Sequence, residues 1–449
     1  MNAILVGVML FAPVPQDQGT PAKAVAETID KKIQSMVGDI RAAEMEKTVR
    51  RLVGFGTRQV LSATDKPYGT GAARNYLQKR LESFIPLSDG RLTVKRETYE
   101  MPARRLRQTV KLVNIVATLK GVSDPGRVYV VGGHYDSINS NGRDAKGLAP
   151  GANDDGSGTS VVIEACRVMC SVPFAATIKF VCYDGEEQGL LGSEGHAKAL
   201  ADAEVNVDGM ITNDIVGNTL GMDGKRRRGY LRCFSYSPSG NDSTGRNLAR
   251  VGTFATRRYV GGFELRLIYR GDRYGRGGDH KSFNKRGFPS IRFTEPREDF
   301  SRQHKNVTER DGKPYGDLPE FMDFEYMIKV AAVNVALLAQ LASAPPAPVS
   351  ARARGARSAY DTNLSWSEVK GAKQYEVVWR QTTSPDWERS RLVEEPRKSR
   401  GGLSYTMKGV CLDDVVVGVR SVAADGSRSR VRTPPEPDAV NQRRVRRNR

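Results

Sequence analysis

Acidic residues and two histidines stand in one recurring kind of place along this chain, directly after short runs of β-branched and aromatic residues. VYVVGG is followed by His134-Tyr135-Asp136, IKFVCY by Asp184-Gly185-Glu186-Glu187, GMIT by Asn213-Asp214 and SIRF by Thr294-Glu295, with His304 in the loop beyond. Asn153-Asp154-Asp155 stands just ahead of a helical stretch that includes GTSVVIEACRVM. Imidazole and carboxylate are metal-ligand types. Singly, an Asp-Asp or Glu-Glu pair is ordinarily a turn or a solvated face, and a histidine after an apolar strand is ordinarily hydrogen-bonded structure. The joint occurrence on successive strand ends reverses that reading, because open α/β sheets bind ligands beyond the carboxyl ends of their strands. Gathering Asp154, Glu186, Glu187 and Asp214 around one cleft sets four like charges against one another, and two divalent cations relieve that repulsion. Only four histidines occur, His134, His196, His280 and His304, so a metal site here is built largely from carboxylates.

Other chemistries find no support. There is no G-x-S-x-G elbow and no H-E-x-x-H pair. GTGAAR at 69–74 imitates a dinucleotide fingerprint, but Arg74 stands in place of the last glycine and no strand precedes it.

The elements that position these residues follow from the pattern. IDKKIQSMVGDIRAAEMEKTVRRLVGF and AARNYLQKRLESF have apolar residues at helical spacing. Strand-like runs then alternate with helices, which predicts an α/β domain with a mostly parallel central sheet flanked by helices. The long helical run FMDFEYMIKVAAVNVALLAQLA closes this part. SAPPAPVSARARGAR reads as a Pro/Ala/Arg linker over 345–357. All three tryptophans, Trp366, Trp379 and Trp387, lie beyond it among short alternating runs, as in a small all-β sandwich.

With 449 residues, 39% hydrophobic and 27% charged, the chain is large enough for two domains with substantial cores. Its formal net charge is +19. Residues 351–449 hold 21 Lys/Arg against 12 Asp/Glu, so nearly half of the excess sits in the last hundred positions, and the tail RRVRRNR is its densest part. Five cysteines exclude a disulfide scaffold; Cys166, Cys170 and Cys182 read as small buried hydrophobes. AILVGVMLFA at 3–12 has the length of a signal-peptide core without a basic flank, so 1–21 is read as a signal-like segment and the protein as periplasmic or secreted.

GGHYDS, PGANDDGSG, CYDGEEQGLLGS, ITNDIVGN, GGDHKSFNKRGFPSIRFTE and the later His304 resemble the di-zinc aminopeptidase family of secreted bacterial exopeptidases, family M twenty-eight of peptidase classifications. The motifs occur in order between about residues 45 and 342. The resemblance implies the zinc exopeptidase fold over 22–344, two zinc ions and peptide hydrolysis. By it, His134 and Asp214 are ligands of one zinc, Glu187 and His304 of the other, and Asp154 bridges both. Glu186 is the general base for a zinc-bridging water, and Asp136 supports His134 from behind. Some relatives have a tyrosine before the second histidine ligand where this chain has Gln303; Tyr274 and Arg276 are the nearest substitutes for contacting oxyanion or substrate. Asp279-His280 is read as structural or rim, and His196 as a surface histidine.

The leading expectation is an aminopeptidase acting on a peptide or protein. The alternatives are a carboxypeptidase of the same superfamily, a one-zinc glutaminyl cyclase, and a catalytically silent binding protein on the same fold. Residues 358–436 resemble a fibronectin type III module in LSW, YEVVW and VGVRSVAADGSRS. The basic C-terminal module, residues 351–449 with the arginine-rich tail 437–449, is expected to attract an anionic cell-surface polymer without specific nucleic-acid readout. No transmembrane anchor is expected.

Overall fold

The computed structural model describes residues 30–237, 242–310, 312–356, 360–399 and 401–435, with the backbone of Thr20–Pro21. They form two compact units. The larger spans Glu27–Pro346 and Ala423–Arg430, and the smaller takes the rest of the C-terminal region together with Thr20–Pro21. Residues 1–19 of the signal-like segment and the basic tail 437–449 lie outside the described residues.

Eight strands make the large sheet: β1 (Leu92–Ala103), β2 (Gln108–Leu119), β3 (Asp124–His134), β4 (Ala176–Tyr183), β5 (Asn206–Asn213), β6 (Tyr230–Ser235), β7 (Glu264–Ile268) and β8 (Ser290–Thr294). They lie in the order β1-β2-β4-β3-β5-β8-β6-β7. The four central strands run parallel, as do β6 and β7, whereas β1, β2 and the β6–β8 pair add antiparallel edges. The near-continuous apolar runs in β3 and β4 are buried on both faces, which is where parallel strands belong.

One face carries α1 (Lys31–Gly38), α2 (Ala42–Val53), α3 (Gly69–Glu82), α4 (Gly156–Met169), α6 (Thr244–Tyr259) and α8 (Phe324–Ser343), which share the main core. The other face carries α5 (Leu191–Asp202) and α7 (His280–Lys285), packed on Val130, Val181, Tyr183 and Met210. Helix α8 is long and apolar enough to cross a membrane, but most of it is buried in this core. Cys166, Cys170 and Cys182 lie in the same core as free thiols. Arg74, the residue that spoils the dinucleotide fingerprint, is buried on α3, where its guanidinium bonds Asp184 at 2.7 Å and the Tyr135 hydroxyl at 2.8 Å.

The smaller unit is a sandwich of two four-stranded antiparallel sheets. Trp366, Leu403 and Met407 from one sheet meet Tyr375, Trp379 and Val417 from the other. Part of the stretch read as a linker belongs to it. Ala351–Gly355 is a strand paired along its length with Thr362–Trp366. Its Ala-Arg-Ala-Arg alternation buries Ala351 and leaves the arginines exposed, a strand pattern without the β-branched residues that announce one. Thr20–Pro21 pairs with Arg389 and Ser390 at an edge of the other sheet.

Candidate metal centre

The acidic loops and two histidines meet at the carboxyl ends of β3, β4 and β5. His134 ends β3, and close backbone packing sets its position. A Cβ on the preceding Gly133 would lie 2.6 Å from the Gly158 carbonyl carbon, and one on Gly158 would lie 2.2 Å from the Asn213 carbonyl oxygen. The glycines of GGH and DDGSG therefore let the start of α4 press against the ends of β3 and β5. Asp155 caps α4 through the Gly158 amide at 2.9 Å and also accepts from the amides of His134 and Ile215, at 3.0 and 3.2 Å. One buried carboxylate thus ties two strand ends to one helix.

Asp154 precedes this cap across a cis peptide bond. Asp317 accepts from the amides of Asn153 and Asp154, both at 2.8 Å, and fixes the loop from behind. Asp136 does the same for the next loop, accepting from the amides of Glu186 and Glu187 at 3.0 and 3.1 Å, while its Oδ1 lies 3.4 Å from His134 Nδ1. Asp214 follows β5 and contacts the guanidinium of the fully buried Arg292 at 2.9 Å. The next residue, Ile215, has φ 60°, a left-handed conformation that is costly for a β-branched side chain.

Five side chains converge. His134 Nε2 lies 3.2 Å from Asp154 Oδ1, and His304 Nε2 lies 3.0 Å from Asp154 Oδ2 and 2.8 Å from Glu187 Oε1. His134 Nε2, His304 Nε2 and Glu187 Oε1 are nevertheless buried without a hydrogen bond of proper geometry. Buried polar atoms that crowd together without bonding one another are what a cation's ligands look like. Two groups can hold a metal ion, His134-Asp154-Asp214 and Asp154-Glu187-His304, each with ligand atoms within 4.8 Å of one another. They share Asp154.

The protonation equilibria show the strain of this gathering. Burial pushes the Glu186 carboxyl well above the usual carboxylate range, and neighbouring Asp214, Glu187 and Asp279 add to the rise. Burial raises Glu187 and Asp214 as well. For His304 burial works downward, but Glu187 and Asp154 outweigh it and carry the imidazole up to about 11. A divalent cation supplies the positive charge that these groups otherwise draw from protons.

The site opens into a cleft of about 880 Å³ that Glu186, Tyr274 and Arg276 also line. Arg276 reaches to 3.5 Å from the Gln303 side chain. Tyr274 is 90% exposed. One sequence reading is corrected. His196 is not on the surface: it is buried between Tyr183 and Phe283, with Nδ1 3.0 Å from the Tyr183 hydroxyl, because α5 turns that face to the sheet. Asp279 and His280, read as structural or rim, are wholly buried, which leaves the structural alternative, and His280 Nε2 meets the Gly271 carbonyl at 2.8 Å. Residue types and spacing do not single out Asp317 or Arg292. Asp317 has no local signal, whereas Arg292 is marked by its charge in the middle of the apolar strand SIRFT.

Residues 114–312 match the family model "Peptidase family M28". The chain is 39% identical over 445 residues to a protein of Pyricularia oryzae described as "Probable zinc metalloprotease", covering 92% of this chain and 87% of that one. A protein of Leptosphaeria maculans, also described as a probable zinc metalloprotease, is 36% identical, over 94% and 98% of the two chains. Among solved structures, the LapA aminopeptidase of Legionella pneumophila superposes with a TM-score of 0.51 at 19% identity, over 76% of this chain and 80% of that one. The aminopeptidase of Aneurinibacillus sp. strain AM-1 also gives 0.51, at 16% identity, over 69% and 95%. The solved structures share the fold, and the relatives extend the likeness along nearly the whole sequence: the chain belongs to peptidase family M28 and is a zinc-dependent metallopeptidase.

Proposed function

We propose that the chain is a di-zinc exopeptidase that releases N-terminal residues from peptides, with Glu186 as its general base. The observation that carries this reading is the pair of three-residue donor groups sharing Asp154, with Glu186 on the same cleft and in neither group. Bound zinc supplies Lewis acidity, polarising a carbonyl and lowering the pKa of water towards neutrality. The residues do the rest. His134 and Asp214 would hold one metal ion and Glu187 and His304 the other, and Asp154, which belongs to both groups, would offer a carboxylate to each. Glu186 accepts a proton from the attacking water and returns it to the leaving amine. Glu187 is a poor base because its carboxylate is committed as a ligand. Asp136 holds the backbone of both glutamates, so that the two adjacent side chains keep separate roles.

The purified chain is expected to hold about two zinc equivalents, and chelation to abolish peptide hydrolysis. Glu186→Gln should keep its zinc and lose turnover by a factor on the order of 10²–10⁴. Near wild-type turnover in that variant would remove Glu186 from the role. N-terminally and C-terminally blocked reporter peptides separate the aminopeptidase from a carboxypeptidase. We also propose export of the protein and tethering of its basic tail to an anionic cell-surface polymer, with the C-terminal sandwich as a fibronectin type III-like accessory module.

A further inference from the structure

The cleft carries more positive charge than metal chemistry needs. Arg105, Arg270, Arg273, Arg276 and Lys281 all line it. Two divalent ions would offset Asp154, Glu186, Glu187 and Asp214. Arg273 is accounted for, with Asp272 at 3.2 Å and Glu298 at 2.6 Å. Arg276 has only a 4.0 Å approach to Glu298. The Arg105 guanidinium bonds a backbone carbonyl, that of Glu187, and the Lys281 ammonium bonds the carbonyl of Arg276. Arg270 lies over the Tyr274 ring, 5.8 Å from its centroid. Among the described residues, Arg105, Arg270 and Lys281 form no ion pair with a carboxylate. Three cations without counter-ions, beside a fourth that is weakly paired, give the mouth of the cleft a positive potential that attracts an anionic ligand. Guanidinium forks and an ammonium are suited to binding a carboxylate by charge-assisted hydrogen bonds.

We infer that this cleft selects peptides bearing a carboxylate close to the scissile bond, supplied by an acidic side chain or by the free C-terminus of a short peptide. The inference rests on the peptidase reading above and holds for either direction of exopeptidase action. The test is calorimetric binding to the zinc-loaded full chain carrying Glu186→Gln, which stops turnover during the measurement. Four peptides of one length are compared: acidic side chain with C-terminal amide, neutral side chains with free C-terminus, both carboxylates, and neither. The preferred carboxylate peptide should bind on the order of tenfold tighter than the neutral amide, as one charge-assisted pair provides, and the gap should shrink at high salt. Whichever single-carboxylate peptide gains identifies the source. Arg270→Glu with Lys281→Glu should abolish the gain while zinc content stays unchanged; Arg270 is exposed and Lys281 half-buried, so neither change disturbs the core. Equal binding of all four peptides, or a gain indifferent to the charge reversal, overturns the inference. Failure of the wild-type zinc enzyme to cleave any peptide would overturn the peptidase reading instead, and the binding comparison would still decide this one.

Discussion

Asp136 shows how much of the candidate centre is held from behind. It is 1% exposed, touches no substrate space, and accepts two amides while flanking the His134 ring. Asp136→Ala should therefore lower zinc affinity or activity by about 10–100-fold, the usual effect of losing a ligand's outer partner. Zinc titration of the purified variant checks this, and unchanged affinity with unchanged turnover would refute it. Asp154 has a distinct signature because it alone belongs to both donor groups. Asp154→Ala should lose both zinc equivalents at chelator concentrations that leave one bound in His134→Ala or His304→Ala, as read by metal analysis after dialysis.

At the scale of elements, the centre depends on three backbones meeting without side chains between them. Gly158 sits where the start of α4 meets the end of β5, and no rotamer change can make room when the obstruction is a carbonyl oxygen 2.2 Å away. Gly158→Ala should cost about 3 kcal/mol, the upper part of the overpacking range, and should lower zinc content too, because Asp155 and the His134 backbone move with it. Gly229→Ala is the control, since a Cβ there meets nothing within 4 Å. Thermal melts and zinc analysis of both variants test the idea; equal effects would mean that the glycine contact is not what positions the loop.

For the whole molecule, two buried histidines outside the donor groups set a pH dependence. Burial pulls both His196 and His280 down to about 4. In the unfolded chain they titrate near 6.5, so as pH falls the unfolded state binds the proton first. Their contribution to stability is complete above about pH 6.5 and is lost as pH falls towards about 4, by about 1.4 kcal/mol per pH unit for each histidine. Urea unfolding from pH 6.5 to 4.5 should be less steep in pH for His196→Gln by that amount, and parallel curves would contradict the assignment. The C-terminal segment Ala423–Arg430 belongs to the larger unit, where Arg430 bonds Asp208 at 2.7 Å. Truncation after residue 344 should then lower the melting temperature of the peptidase unit, whereas deletion of 436–449 should leave it unchanged and weaken retention on an anionic matrix at low salt. Loss of small-peptide hydrolysis on removing only the tail would assign the tail to the site.

Much of the centre is legible in the amino-acid sequence. Histidine and carboxylates at successive strand ends are local features, since periodicity predicts strands and strand ends predict where ligands gather. His134, Asp154, Glu187, Asp214 and His304 are indeed brought together. Cys166, Cys170 and Cys182 likewise belong to the core that their apolar surroundings suggest. Asp317, Arg292 and the burial of His196 are not legible in that way. Each depends on a partner far along the chain or on a packing choice: Asp317 on amides more than 160 residues away, Arg292 on Asp214 at the end of the neighbouring strand, and His196 on which face α5 turns inward. Residue types and spacing determine which groups are available for metal chemistry. Only tertiary packing decides which buried charges and amides hold those groups in place, because such contacts join residues that the sequence keeps apart.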